Sequence, residues 1–184
     1  MSYSTQNQLL LNKLMEFYSK DNNIDKILPI INGEHKVSLR LIDWFVTNYS
    51  KKYYTTFNIT SKSGNARRFK VYVDYKLKLK AYSKKRFDPF CRWDRITIPY
   101  KNDTYIQTTI GQLNFFRWAL ENKILDYIEK NLKHINNDMN NRNSTAKNRK
   151  VNSTTKTRKK REELSISASK SIKKEQVEII VDFK

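Results

Sequence analysis

Residues 69–82 read Phe-Lys-Val-Tyr-Val-Asp-Tyr-Lys-Leu-Lys-Leu-Lys-Ala-Tyr, in which apolar and polar side chains alternate with a period of two. Because successive side chains of a β-strand point to opposite faces of the sheet, the alternation predicts one long strand with an apolar face and a basic face. We expect the basic face to carry four lysines, two tyrosines and one aspartate: Lys70, Tyr72, Asp74, Lys76, Lys78, Lys80 and Tyr82. Leucine and lysine also favour helices, so a helix over part of Tyr75–Lys85 remains the alternative.

The segments around this strand predict an α+β fold. Three further strands are expected, at Tyr53–Thr60, Arg95–Pro99 and Thr104–Thr108. Three helices are expected, at Thr5–Ser19, at Ser38–Tyr49 with Ser38 as the N-cap, and after a capping box formed by Thr109 and Gln112. The third helix is expected to continue through the stripe Leu113, Phe116, Leu120, Ile124 and Ile128. The predicted architecture is a small antiparallel sheet packed against about three helices, followed by a disordered basic tail.

Three regions differ in composition. Residues 1–132 contain almost all of the aromatic residues and are predicted to form a single globular domain. Residues 133–176 are predicted to be a disordered, Asn- and Lys-rich basic linker, because seven of the 17 residues from Asn136 to Asn152 are asparagine and little apolar surface is available to bury. Residues 177–184 regain strand character. We expect Val177–Phe183 either to form an edge strand on the domain or to bind a protein partner.

The net charge of the chain is extreme. Its 37 lysines and arginines outnumber 18 aspartates and glutamates and leave a formal charge of +19 at pH 7. Such a field attracts polyanions, among which DNA, RNA, an anionic membrane surface and an acidic protein are all candidates. The competing interpretation is that the charge only keeps the protein soluble.

Two basic patches are candidate sites for nucleic acid. The first runs from Lys62 to Arg95 and has 12 basic residues against three acidic ones. In it we expect phosphate contacts from Arg67, Arg68, Lys70, Lys76, Lys78, Lys80, Lys84, Lys85 and Arg86, with stacking from Tyr72 and Tyr82. The second patch consists of Lys156, Arg158, Lys159, Lys160 and Arg161. The alternatives are the ordinary solvated face of a sheet for the first patch and a solvated linker for the second.

Catalytic patterns are scarce, so we predict a protein that is not an enzyme and has no cofactor, no metal and no small-molecule substrate. Cys91 is the only cysteine, which excludes an internal disulfide and a cysteine zinc cluster, and neither phosphate-binding glycine motif occurs. A metal-dependent nuclease is the remote alternative. Asp74 and Lys76 would share a strand face there, but a second carboxylate such as Asp43 or Glu34 would also be needed to hold Mg²⁺.

Targeting signals point to the interior of a cell. The N-terminus is polar rather than signal-peptide-like, and no apolar run approaches the roughly 18 residues that a membrane span needs. We therefore expect a soluble intracellular protein without a membrane partner.

Three segments resemble a group of small basic proteins from nucleocytoplasmic large DNA viruses, especially mimivirus-like ones. They are Leu39–Lys51, Tyr82–Arg92 and Thr108–Ala119, and the resemblance covers about residues 35–132. It implies no catalytic or binding residues. It does imply a location, either in the virion or in the viral factory of the host cytoplasm, with the nucleus as a further possibility.

Together these observations predict a non-enzymatic, viral nucleic-acid-binding protein. Its binding to DNA or RNA is expected to be mainly electrostatic and of low sequence specificity. The principal alternative is a virion-associated structural or adaptor protein that binds other proteins through its aromatic helix and Val177–Phe183.

Overall fold

The N-terminal part of the chain is helical. The computed structural model describes residues 5–60, 64, 66–101, 104–151 and 174–176. Its first helices are α1 (Thr5–Tyr18), α2 (Asn23–Ile31), α3 (Leu39–Trp44), a π-helical turn (Phe45–Tyr49) and α4 (Ser50–Lys52). The predicted N-cap is confirmed, because the hydroxyl of Ser38 accepts a hydrogen bond of 3.2 Å from the amide of Leu41.

Two small antiparallel sheets follow, which confirms the α+β class. In the first, β1 (Thr56–Thr60) pairs with β2 (Ala66–Lys70) and places Phe57 opposite Phe69. In the second, β3 (Arg95–Pro99) pairs with β4 (Thr104–Thr109), and β5 (Lys174–Gln176) adds to the other edge of β4. The predictions for β3 and β4 are confirmed, and β1 begins a few residues later than predicted.

The predicted long strand over 69–82 is wrong beyond Lys70. Residues Val71–Arg86 form helix α5 instead. A period-two pattern also places apolar residues four apart, and Val71 and Tyr75 use that spacing to bury one side of the helix. Val73 and Leu77, which a strand would have buried with them, are 52% and 60% exposed on the opposite side. The helical alternative for this segment is therefore the one the protein adopts.

Helix α5 is interrupted at Ser83. The backbone there has φ 60° and ψ 169°, a conformation that is almost restricted to glycine because a Cβ atom crowds the neighbouring carbonyl. The side chain of Ser83 is exposed, so packing with neighbours does not compensate for the strain. The break redirects the chain from the main part of α5, residues 71–82, into the segment Lys84–Asp88, which begins with the last turn of α5.

Helix α6 (Ile110–Glu121) is the centre of the domain, and α7 (Ile124–Lys130) follows it. The hydroxyl of Thr109 caps α6 by accepting from the amide of Gln112 at 3.1 Å, as predicted. The side chain of Gln112 does not return to Thr109, however. It donates to the carbonyl of Pro89 at 2.9 Å and accepts from Thr108 Oγ1. The predicted apolar stripe therefore spans two helices, which meet at Lys123 with φ 53°.

The segment that leaves α5 is attached to α6 along its backbone. The carbonyl of Gly111 accepts from the amide of Asp88 at 3.2 Å, and Asn114 Nδ2 donates to the carbonyl of Arg86 at 2.8 Å. A Cβ atom on Gly111 would lie 2.8 Å from the carbonyl oxygen of Lys85. Glycine is required here because the two backbones approach this closely.

An aromatic cluster lies beneath this contact. The ring of Phe87 is 5.3 Å from that of Phe115 and 5.4 Å from that of Trp118, and it also meets Tyr75 and Tyr82. Phe87, Phe115 and Trp118 are almost fully buried. The aromatic residues of α6 therefore belong to the core and do not form a surface for a partner.

Helix α8 (Leu132–Val151) occupies the first part of the predicted linker, so the folded domain extends beyond residue 132. Leu132, Ile135 and Met139 follow helical spacing, and their side chains pack on the core. Asp138 accepts hydrogen bonds from Trp44 Nε1, Tyr53 Oη and Lys52 Nζ and so fastens α8 to α3 and α4. The predicted patch Lys156–Arg161 and the segment Val177–Phe183 lie outside the described residues.

No helix in the described part of the chain is long and apolar enough to cross a bilayer.

Replacing Gly111 by alanine should destabilise the protein. Alanine is the better helix former, but its Cβ would displace the backbone of Lys85, and we expect a net loss of about 1–3 kcal/mol. Thermal and urea unfolding followed by circular dichroism would measure the loss. An unchanged or higher unfolding temperature would show that the two backbones do not approach this closely.

Replacing Ser83 by glycine should have the opposite effect. Glycine adopts the observed φ without strain, and we expect a gain of about 1 kcal/mol after the greater entropy of the unfolded chain is subtracted. The matched control is Ser83→Ala, which keeps a Cβ atom and should give no such gain in the same unfolding experiment. Equal effects of the two substitutions would contradict the strained backbone.

Replacing Asp138 by alanine should loosen α8. The indole N–H of Trp44 would lose its acceptor, and we expect a cost of about 1–3 kcal/mol in the free energy of unfolding. Hydrogen exchange should show faster exchange over residues 132–142 than over α6. Uniform destabilisation of all helices would mean that α8 does not open separately.

Candidate functional site

The predicted contact residues of the first basic patch lie on β2, on α5 and after the break at Ser83. Between Ala66 and Arg86 there are nine basic residues and one acidic residue, Asp74. A strand would have placed four of the lysines in one row. In the structure Lys70 ends β2, and the helix divides the other three between a cleft shared with α6, which contains Lys78, and an outer face with Lys76 and Lys80.

The cleft lies between β2, α5 and α6 and has a volume of about 260 Å³. Three cationic side chains line it, Arg67 from β2, Lys78 from α5 and Arg117 from α6, together with two carboxylates, Asp74 and Glu121. The remaining lining residues are aromatic or carry an amide: Tyr82, Phe87, Asn114, Trp118 and Asn122. The cleft is therefore polar, with one more positive than negative side chain.

Hydrogen bonds hold the wall of the cleft in place. The indole Nε1 of Trp118 donates to Asp74 Oδ1 at 2.6 Å and so joins α6 to α5. Arg67 donates to Asn122 Oδ1 at 3.1 Å, and Asn122 Nδ2 donates to the carbonyl of Trp118 at 2.8 Å. Because Trp118 and Asn122 are buried, these contacts fix the position of Arg67 relative to α6.

Other polar groups of the cleft keep hydrogen-bonding capacity that no described residue uses. Lys78 makes no hydrogen bond or ion pair with any described residue, and neither Tyr82 Oη nor Asp74 Oδ2 has a partner within the described ranges. Arg117 donates to Glu121 at 2.9 Å, and its guanidinium lies over the ring of Phe17. The cleft therefore presents hydrogen-bond donors and acceptors together.

The outer face of α5 combines exposed lysines with exposed apolar side chains. Lys76 and Lys80 are one turn apart, and Val73 and Leu77 lie beside them. An open groove of about 510 Å³ runs along this face and is lined by Tyr72, Val73, Lys76, Leu77, Leu79 and Lys80. Nothing among the described residues pairs with the two lysine ammonium groups.

The other predicted contact residues lie near both ends of α5. Arg68 is exposed and donates to Thr56 Oγ1, and Lys70 is exposed at the end of β2. After the break, Lys85 forms an ion pair of 2.9 Å with Asp94, and Arg86 donates to Gln6. Lys84 is exposed beside them.

Sequence reasoning missed Arg117 as a member of the site. It lies on α6, which the sequence marked only by its apolar stripe. No local signal connects it with Arg67 or Lys78, because the three residues come from separate elements. A single basic residue between Phe116 and Trp118 was the only available hint, since a cation there must either reach solvent or line a polar cleft.

A buried charged cluster lies on the other side of α5. Asp88 is 2% exposed, and Arg92 donates to both of its carboxylate oxygens at 2.8 Å. Burial and the nearby charge of Asp88 raise the pKa of Asp43. Burial, with Asp43 and Asp88 beside the ring, raises the pKa of Tyr75 to about 12. Asp43 of α3 therefore lies within electrostatic range of the loop after α5.

The structure does not pair Asp74 with Asp43, and the second carboxylate in the cleft is that of Glu121. Asp74 is bound to Trp118, whereas Asp43 interacts with Asp88, Arg92 and Lys84. Within the described residues, no group of three or more His, Cys, Asp or Glu side chains could hold a metal ion. Cys91 is buried, and burial raises the pKa of its thiol, so the thiolate nucleophile is disfavoured.

Comparisons with known proteins identify a family and a viral relative. Residues 2–183 match the model of a "Family of unknown function (DUF7197)". A relative from Acanthamoeba polyphaga mimivirus, "Uncharacterized protein L507", is 45% identical over 150 residues. The match covers 78% of this chain and 58% of the relative, and it confirms the resemblance to proteins of large DNA viruses. No solved structure matches the chain.

Proposed function

The chain belongs to this family of unknown function, and we propose that it binds nucleic acid, with β2 and α5 as the binding surface. The observation that carries the proposal is the concentration of charge there. Nine basic residues and one acidic residue lie between Ala66 and Arg86, and most of the basic side chains are exposed. A surface with so few compensating carboxylates favours a polyanion over a mixed-charge protein surface.

Each part of the surface would make a different contact. Lys76 and Lys80, on the outer face of α5, act as mobile point charges for phosphates. Arg67 is held by Asn122 and can present its remaining N–H groups to one phosphate in a fixed direction. Binding of this kind releases counterions, so affinity falls with rising salt by a slope of about −0.9 per phosphate contact on duplex DNA.

The proposal includes low sequence specificity and no catalytic step. Lysines on an exposed helix face contact the backbone, which is the same in every sequence. The basic residues Lys156–Arg161 would add further phosphate contacts. Their covalent link to the domain gives them a high effective concentration near the bound nucleic acid. We propose that the protein acts without a cofactor, and that it acts in the virion or the viral factory; the mimivirus relative supports this location.

A structural or adaptor role is the second candidate, and one observation favours it. Val73 and Leu77 are large apolar side chains exposed side by side on α5, and a protein partner could cover them. The two functions differ in which side chains matter. Replacing Val73 and Leu77 by serine should leave polynucleotide affinity almost unchanged if the first proposal holds, and should remove partner binding if the second holds.

Replacing Lys76 and Lys80 by glutamine should weaken binding to DNA and RNA. Each lost phosphate contact should lower the salt slope by about 1, so the double variant should lower it by about 2. Fluorescence anisotropy of labelled 20-mers across a potassium chloride series would measure both affinity and slope. Circular dichroism should show an unchanged fold, since both side chains are exposed.

The matched control for this experiment is Lys13→Gln with Lys133→Gln. It removes the same charge from exposed positions on α1 and α8, away from the proposed surface. A control that weakens binding as much as the test pair would show that only net charge matters. A full-length variant measures how much the tail contributes to polynucleotide affinity. In it, five basic residues are changed to glutamine: Lys156, Arg158, Lys159, Lys160 and Arg161. Loss of all binding in that variant would overturn the assignment to β2 and α5.

A further inference from the structure

The cleft contains acceptor groups that a phosphate-binding surface does not need. Asp74 Oδ1 accepts from Trp118, and its second oxygen has no hydrogen-bond partner within the described ranges. Asn114 is 5% exposed, and its Nδ2 is used by the carbonyl of Arg86 while its Oδ1 accepts from no described group. A carboxylate repels a phosphate, and Arg117 is already paired with Glu121. The presence of Asp74 beside Arg67 and Lys78 therefore indicates a ligand with both negative charge and N–H donors.

We infer that the cleft binds one nucleotide unit, with its phosphate near Arg67, Lys78 and Arg117 and the N–H groups of its base directed to Asp74 and Asn114. This inference deepens the proposed function and rests on it. The volume of about 260 Å³ is just below the range of ordinary small-ligand pockets, so the cleft is large enough for a single base.

Tyr82 gives the cleft an aromatic wall. Its ring is half-buried and lies nearly parallel to that of Phe87, with an interplanar angle of 20° and centroids 6.3 Å apart. Any base can stack on an aromatic ring, so stacking contributes affinity that does not depend on base identity. A base inside the cleft must leave its own stack, and single strands therefore bind there at a lower cost than duplexes.

The hydrogen-bond acceptors of the cleft determine which base it should prefer. Cytosine presents an exocyclic amino group, which a carboxylate accepts well. Uracil has a carbonyl oxygen at the same ring position, and this oxygen would face the negative charge of Asp74. The cleft should therefore favour cytosine over uracil, two bases of equal ring size that differ in the C4 substituent and in the proton on N3.

The test uses the full chain and four probes: oligo-C and oligo-U RNA 12-mers, an RNA duplex of the same length, and free CMP. We expect oligo-C to bind at least about fivefold more tightly than oligo-U, as one good base contact supplies. The duplex should bind more weakly than oligo-C. CMP should compete for the cleft only if the site takes a free nucleotide as well as one within a strand.

Asp74→Asn is the main variant, because asparagine keeps an oxygen for Trp118 Nε1 at almost the same volume. We expect it to remove the preference for oligo-C and to raise the affinity for oligo-U. Lys78→Gln should weaken oligo-C binding more than Lys76→Gln, which removes the same charge from the outer face of α5. This second comparison is independent of whether Asp74→Asn folds.

The outcomes separate the inference from the proposed function. Equal binding of oligo-C and oligo-U by the unmodified chain, with affinity still dependent on Lys76 and Lys80, would overturn the nucleotide cleft and leave the nucleic-acid surface intact. No binding of any oligonucleotide near physiological salt would overturn the proposed function. CMP binding that is lost in Lys78→Gln without oligonucleotide binding would support the cleft as a site for a free nucleotide and also overturn the proposed function.

Discussion

The close approach of the Lys85 carbonyl to Gly111 is the constraint on which the rest of the structure depends. A Cβ atom at position 111 would lie 2.8 Å from that oxygen, so the segment after α5 can rest directly on the first turn of α6. Three hydrogen bonds then hold the segment, through the Asp88 amide, the Arg86 carbonyl and the Pro89 carbonyl. Buried polar groups of α6 are satisfied by this backbone, so the contact is specific as well as close.

The cleft is a consequence of that contact. Phe87 enters the aromatic cluster beside Trp118, and Trp118 binds Asp74 across the gap between α5 and α6. With both walls fixed, cations from β2, α5 and α6 meet around one small volume. The strained backbone of Ser83 follows from the same geometry, because the chain must turn sharply from α5 to reach α6.

The sequence correctly predicted those elements whose signals lie within a few residues of one another. The Ser38 and Thr109 caps and strands β3 and β4 were recognised because capping and strand alternation involve residues only a few positions apart. The segment 71–82 misled the same reasoning. An alternation of period two includes the spacing of four that a helix uses, and packing of Val71 and Tyr75 on the core decided between them. Helix α8 was missed because asparagine content outweighed the spacing of Leu132, Ile135 and Met139.

By itself the sequence determined the sign and density of charge, the α+β class and the starts of two helices, since each depends on composition or on residues close in the chain. Only the tertiary structure decided which charges act together. Arg67, Lys78 and Arg117 converge because α5 and α6 are brought together through Gly111 and Phe87, while Lys76 and Lys80 are turned outward by the helical periodicity of α5. Such long-range placement depends on how side chains fill the core, and no short stretch of sequence contains that information.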